Sequence, residues 1–265
     1  MLLIGTSSGS EEIHIRDLAP ADAGPRNVMK VAMVRVGIDT GSGGAHGPLF
    51  EDGSFEFIPI PDGFGFDNRT YSNTSGRHGN KLIEFLPRSL QARMANQSMH
   101  VDPEFSTFTY GDPTRPKAGL RRLQTEDMLV FYCGLQGWDF ESPPALYLVG
   151  YFEVKAAGEA RDFSEWELRT LFGKNFHVRH PDVFKEQRDS LVLVRGSAKS
   201  RLLNKAVLLS TTGQDRLGRP LKILSPEMRE VFGSFREKLS FQRSPTRWVE
   251  PSFTLGAAQF MRSLN

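Results

Sequence analysis

The sequence has almost no cysteine. A single thiol, Cys133, stands in 265 residues, which excludes an internal disulfide framework and any zinc site built from several cysteines. A long apolar run is also missing, because no stretch approaches the roughly 20 residues that a membrane-spanning helix needs. The apolar start, Met1–Ile4, is too short for a secretory signal and has no basic residues before it. Charge of one sign is lacking too: 33 Lys and Arg stand against 31 Asp and Glu, a formal net charge of +2. Whole-molecule electrostatics therefore give no argument for nucleic acid, and such an argument has to come from local patches. Internal repeats and heptads are absent. The expectation is a soluble, cytoplasmic α+β protein with no membrane partner.

What is present divides unevenly along the chain. Residues 1–27 are rich in Gly, Ser, Glu, Asp, Ala and Pro and show no apolar period, so they read as a disordered extension that cannot offset its chain entropy by burial. Residues 28–265 read as one α+β domain with long loops. It opens with a β-branched strand, Val28–Val36, bounded by Gly37,. Asp52-Gly53 marks a hairpin turn between Leu49-Phe50 and Ser54–Ile60,. Lys81–Asn96 has helical apolar spacing limited by Pro87,. Met128–Leu135 and Ala145–Lys155 are apolar strands and the clearest core,. Ser164 and Glu167 form a capping box for a helix ending near Phe172,. Leu191–Val194 and Ala206–Leu209 are strand-like, and Pro226–Phe232 and Phe253–Leu264 read as helices.

Five places carry candidate chemistry, each with a plainer reading or an objection beside it. Gly37–Gly44 holds four glycines in eight residues. Its amides suit an anion nest, with Arg35, Asp39, Ser42, Gly43 and His46 around it, but it is neither a P-loop nor a dinucleotide fingerprint. The plainer reading is a wide turn in which Asp39 bonds backbone amides. His100 and Asp102 sit at i and i+2, which share a face in an extended segment; the alternative is a surface turn before Pro103. Tyr132 and the exposed-looking Trp138 are candidate base-stacking rings, whereas an aromatic stripe is more often core. The segment Arg195–Arg201, with Lys199, mixes cations and small residues as phosphate-contacting loops do, and is otherwise a solvated surface. His177 and His180 have metal-compatible spacing on a helix, but Pro181 and the lack of neighbouring acids argue against it, so no metal is expected from sequence, and the sequence names no cofactor.

The stretch Lys30–Asp62 resembles the opening of the nucleotide-modification-associated domain family, third group (Nmad3). The resemblance lies in Arg35-x-Gly37-x-Asp39, Gly43-Gly44, Pro48-x-Phe50, Asp52-Gly53 and Pro59-x-Pro61, joined later by His100-x-Asp102-Pro103 and Asp127–Phe131. It implies a place in bacterial or phage systems that make or handle modified DNA bases, beside other DNA-modification enzymes, and names no reaction. Residues 127–154 are also similar to the strand pair of PUA-like barrels (ASCH, EVE and YTH modules), a fold-level analogy. The expected fold is α+β: a mixed sheet or a PUA-like, partly closed barrel with peripheral helices. The expected function is recognition or processing of a modified nucleotide. Asp39, His100 and Asp102 would be the reacting groups. Arg35, Gly37, Ser42, Gly43, Gly44, His46, Arg195, Lys199 and Arg201 would hold nucleotide or phosphate, and Tyr132 and Trp138 would stack on the base. A non-catalytic reader and an enzyme of free nucleotides remain alternatives, and whether the chain is an enzyme stays open.

Overall fold

The computed structural model describes residues 28–241 and 245–264, so the extension expected over 1–27 lies outside the described residues. The first strand, β1 (Val31–Arg35), is buried along nearly its whole length. This is why its sequence reads as a continuous apolar run rather than an alternation. β1 lies parallel to the strand Met128–Gly137, with Arg35 opposite Tyr132. A parallel neighbour needs a long crossover, and the excursion between them holds much of the polar chemistry. Along it come β2 (Gly47–Leu49), β3 (Ile60–Pro61), α1 (Arg88–Met94), β4 (Met99–His100) and β5 (Thr109–Asp112). Pro87 occupies the N-cap of α1, so the helix within 81–96 starts where the proline limits it, and a 3-10 turn at Leu82–Phe85 stands before it.

The Met128–Gly137 strand is β6. It pairs antiparallel with β7 (Ala145–Glu159), the longest strand. The helices α2 (Glu165–Phe172), α3 (Phe176–Arg179) and α4 (Pro181–Gln187) follow. The Ser164 hydroxyl accepts from the Glu167 amide, completing the capping box at α2. Next come β8 (Val192–Gly196), β9 (Arg201–Leu208), β10 (Ser210–Gln214), β11 (Pro220–Leu224), α5 (Pro226–Phe232), β12 (Arg247–Trp248) and α6 (Thr254–Ser263).

The large sheet is mixed, in the order β12-β1-β6-β7-β8-β5, with β2 added to β6 and β9 to β7. On the edge away from β6, β7 serves two neighbours and its pairing shifts register: Tyr147–Tyr151 face β9, and Val154–Glu159 face β8. Bulges at such shifts bend a strand and strengthen its twist. The sheet curls without closing into a barrel, and the helices sit at its periphery. Ring contacts from Phe105 and Tyr110 to Phe131 show how far β5 bends over β6. The expected hairpin is reduced to its turn: Gly53 takes φ +85°, and Leu49 bridges Phe55, while β2 itself pairs with β6. Ile38, Ile58, Tyr71, Phe85, Met94 and Met99 form a smaller core under the crossover.

Candidate functional site

His100 ends β4, which is short because its partner β3 has only two residues, Ile60 lying opposite His100. Two residues on, Asp102 turns its carboxylate to the same side, and His100 Nε2 lies 4.0 Å from Asp102 Oδ2. His177 arrives between them from α3. Its Nε2 is 3.1 Å from His100 Nε2 and 3.3 Å from Asp102 Oδ2. α3 is aimed by its cap, where the Asn175 side chain accepts from the His177 amide. Gly111 of β5 makes the approach possible: a Cβ there would lie 2.8 Å from His177 Cδ2 and 2.9 Å from Asn175 Oδ1. The Gly111 amide also donates to Asp102 Oδ2 at 2.8 Å. On its far side, the His177 ring nitrogen Nδ1 is 2.6 Å from Gln187 Oε1.

Burial sets the electrostatics. It pushes the Asp102 carboxyl up to about 6, against the hydrogen bond and charge of His177. It lowers His100 to about 3, helped by the charge of His177. Burial also pulls His177 down, but its hydrogen bond to Asp102 and that carboxylate's charge outweigh this and raise it. Asp102 Oδ1 is buried with no partner among the described residues.

A line of rings leads from the surface to this cluster. Phe64 and Phe66, 41 and 42% exposed, stack 6.0 Å apart at 16°. Phe66 stacks on His180 at 5.8 Å, His180 packs against Phe176 at 5.0 Å, and Phe176 stacks on His100 at 4.1 Å. The loop presenting the two phenylalanines is pinned at both ends. The buried Asp62 carboxylate accepts from the amides of Phe64 and Phe66, and the buried Asp67 pairs with Arg69 and Arg179.

A second polar cluster sits where β1 ends. Arg35 pairs with Asp39 at 3.2 Å. Asp39 Oδ1 accepts from the amides of Gly41 and Ser42, both at 2.7 Å, so these amides of the glycine-dense turn are bonded by the turn's own aspartate. Gly37, Gly43 and Gly44 have positive φ; at Gly43, φ +109°, a Cβ would lie 2.5 Å from Ile38 Cγ1. His46 folds over Gly134, where a Cβ would lie 2.7 Å from its Nδ1, and burial followed by the Arg35 charge lowers its pKa. Arg247 comes from β12, opposite Met33. Arg35 Nε, His46 Nδ1, Tyr132 Oη and Arg247 Nε are all buried without a partner among the described residues. A cavity of about 560 Å³ opens beside Arg247, lined also by Arg219, Ser240 and Asp215.

The structure thus divides the residues expected to share one cleft. Asp39, Arg35 and His46 gather at β1. His100 and Asp102 gather near β5. Among the described residues no hydrogen bond or ion pair joins the two groups, which are linked instead through residues 58–60: Ile38 bonds Ile58, and Ile60 pairs with His100. Tyr132 is fully buried, edge-on to Phe241, so it presents no free face to a base. Trp138 is 45% exposed and leans on Phe85. Arg195 donates to the Thr107 carbonyl, Arg201 lies on β9 over the Tyr151 ring, and Lys199 is exposed at the tip between β8 and β9. The amides of Ser197 and Ser200 in that tip are taken by backbone carbonyls.

From sequence, His177 is set aside for want of a neighbouring acid, and Gly111, Phe64, Phe66 and Arg247 carry no assignment. The acid lacking near His177 along the chain is Asp102, brought to it by β5. The pattern Phe64-x-Phe66 in a glycine-rich loop was the one signal available for the ring pair.

The family model for nucleotide modification associated domain 3 matches residues 30–262. The chain belongs to that family. The match takes in both clusters, the ring line and every strand of the sheet. Neither a curated protein nor a solved structure matches the chain. Family membership places the protein in the setting of nucleotide modification. No helix among the described residues is long and apolar enough to cross a membrane.

Proposed function

We propose that this family member recognises or processes a modified nucleotide unit of DNA, seating the base on the exposed rings of Phe64 and Phe66, which His180 and Phe176 connect to the His100–Asp102–His177 cluster. The observation that carries the reading is the continuous ring line. Every base offers a π-face, and stacking on an aromatic side chain is worth roughly 1–3 kcal/mol. From Phe66 the ring line runs inward through His180 and Phe176 to His100. Arg69 and Arg179, both paired with Asp67, hold the end of the loop that presents the ring pair. The four unpartnered groups of the second cluster, from Arg35, His46, Tyr132 and Arg247, suit an anionic oxygen such as a phosphate, since buried polar atoms ordinarily have partners. Lys199 and Arg201 would add contacts to a polymer backbone. The setting proposed is a bacterial or phage DNA-modification system in the cytoplasm, alongside other DNA-modification enzymes.

The test is fluorescence anisotropy with unmodified and hypermodified DNA at two salt concentrations. Tighter binding to the modified DNA, with affinity falling steeply as salt rises, is the expected result. Product analysis by mass spectrometry then separates a processing enzyme from a reader. Equal and negligible binding to both DNAs removes the polymer reading, and saturable binding of free nucleotides in the same assay would replace it with an enzyme acting before polymerisation.

A further inference from the structure

We propose that His100, Asp102 and His177 form a tetrahedral zinc site with its fourth position open. The inference stands on the geometry of these side chains and does not depend on the nucleotide reading.

Three facing ligand atoms, His100 Nε2, Asp102 Oδ2 and His177 Nε2, are separated by 3.1, 3.3 and 4.0 Å. A point about 2.1 Å from all three atoms exists, inside the roughly 2.0–2.2 Å range of zinc bonded to imidazole nitrogen and carboxylate oxygen; the two angles that involve His177 are there about 95° and 104°, and the 4.0 Å edge between His100 and Asp102 has to close to about 3.4 Å for the third to become tetrahedral. Octahedral angles would require about 2.5 Å, too long for magnesium; calcium accepts that length but takes oxygen ligands. Two imidazoles also select a borderline metal over a hard one.

The surroundings are those of a ligand set. The Nδ1 of His177 faces Gln187 Oε1 at 2.6 Å. An N–H donated there leaves the Nε2 lone pair pointing at His100 and Asp102, the outer hydrogen bond that metal-binding histidines ordinarily make. The second independent sign is Asp102 Oδ1, buried with no partner in a residue whose side chain is 3% exposed. Without an ion, two imidazole nitrogens facing each other at this distance are joined by at most one shared proton. With an ion, both lone pairs and the carboxylate are satisfied together. His100, whose side chain is 20% exposed, forms the solvent-facing side. Three protein ligands leave a position for water or a substrate oxygen, the arrangement of catalytic rather than structural zinc. The position would lie at the inner end of the line of rings.

The experiment measures metal in the full chain, purified after expression with added zinc and dialysed against metal-free buffer, by inductively coupled plasma mass spectrometry. About one zinc per chain is expected, because such sites hold metal tightly at neutral pH. His100→Ala and Asp102→Asn, confirmed folded by circular dichroism, should lose it. Gln187→Leu should keep the stoichiometry and weaken affinity by about 10–100-fold. Replacing zinc by cobalt(II) in the unaltered chain should give the intense visible bands of four-coordinate cobalt, a readout that holds even if the variants fail to fold. No stoichiometric metal in the unaltered chain, a pale six-coordinate cobalt spectrum, or undiminished zinc in the folded variants would overturn the proposal. Failure of DNA binding would leave it standing.

Discussion

His100 Nε2 and His177 Nε2 lie 3.1 Å apart although 77 residues separate them in sequence. The contact depends on Gly111, because a Cβ there would crowd the His177 ring and its cap residue Asn175. Gly111→Ala should therefore push His177 out of the cluster. A Cβ 2.8 Å from an imidazole carbon forces either the ring or β5 to move, at a cost of about 1–3 kcal/mol. Zinc affinity and thermal stability should both fall. An unchanged zinc affinity would show that His177 has room the structure does not indicate.

The ring pair makes a sharper test of the nucleotide reading than any buried residue. Phe64→Ala combined with Phe66→Ala removes two exposed rings, so stability should change little. DNA affinity should fall by about tenfold or more, as the loss of stacked bases predicts. Binding that survives intact would move the base elsewhere, with Trp138 the next ring to remove.

Arg35→Gln tests the second cluster. The guanidinium is paired with Asp39 and lies opposite Tyr132. If it holds a phosphate of bound DNA, its loss should weaken all DNA sequences about equally and lower the slope of log affinity against log salt by about 1. An unchanged slope counts against a phosphate there.

Lys117 is buried, its ammonium nitrogen has no partner among the described residues, and burial brings its pKa down to about 8 against the opposing charge of Asp112. The unfolded chain restores an ordinary lysine value of about 10.4. Between these two values the unfolded state holds a proton that the folded state does not, so stability should rise with pH across that window. Lys117→Met should raise the urea midpoint at about pH 7, by an energy of order 3 kcal/mol at most, and flatten the rise towards pH 10. A variant less stable than the parent at neutral pH would mean that the amine has a favourable partner.

Cys133 is 3% exposed and burial pushes its thiol up to about 12. A thiol reagent should label it slowly in the folded protein and fast in denaturant, since the thiolate is the reactive form. Rapid labelling under native conditions would show local opening of β6.

Local signals in the chain settled local structure. The apolar runs of β1, β6 and β7, the Ser164–Glu167 box at α2 and the bounds of α5 and α6 all follow from periodicity and capping, which act over a few residues. The motifs around Gly37, Asp39 and His100 were also enough to indicate the family. Tertiary structure alone decided which of those groups meet. The i, i+2 spacing of His100 and Asp102 was legible, but the meeting of His177 with them was not, because its carboxylate partner lies far away in the chain and reaches it only once β5 is folded against β8. Tyr132 looked like a candidate ring by composition, yet pairing with β1 and packing under Phe241 enclosed it. Arg35 was visible as a cation, while Arg247 joins it only through the antiparallel addition of β12 to β1. Contacts of this kind are set by strand order and curvature, and no short window of sequence encodes them: their formation depends on closing long loops, whose entropic cost is offset only when the whole sheet packs.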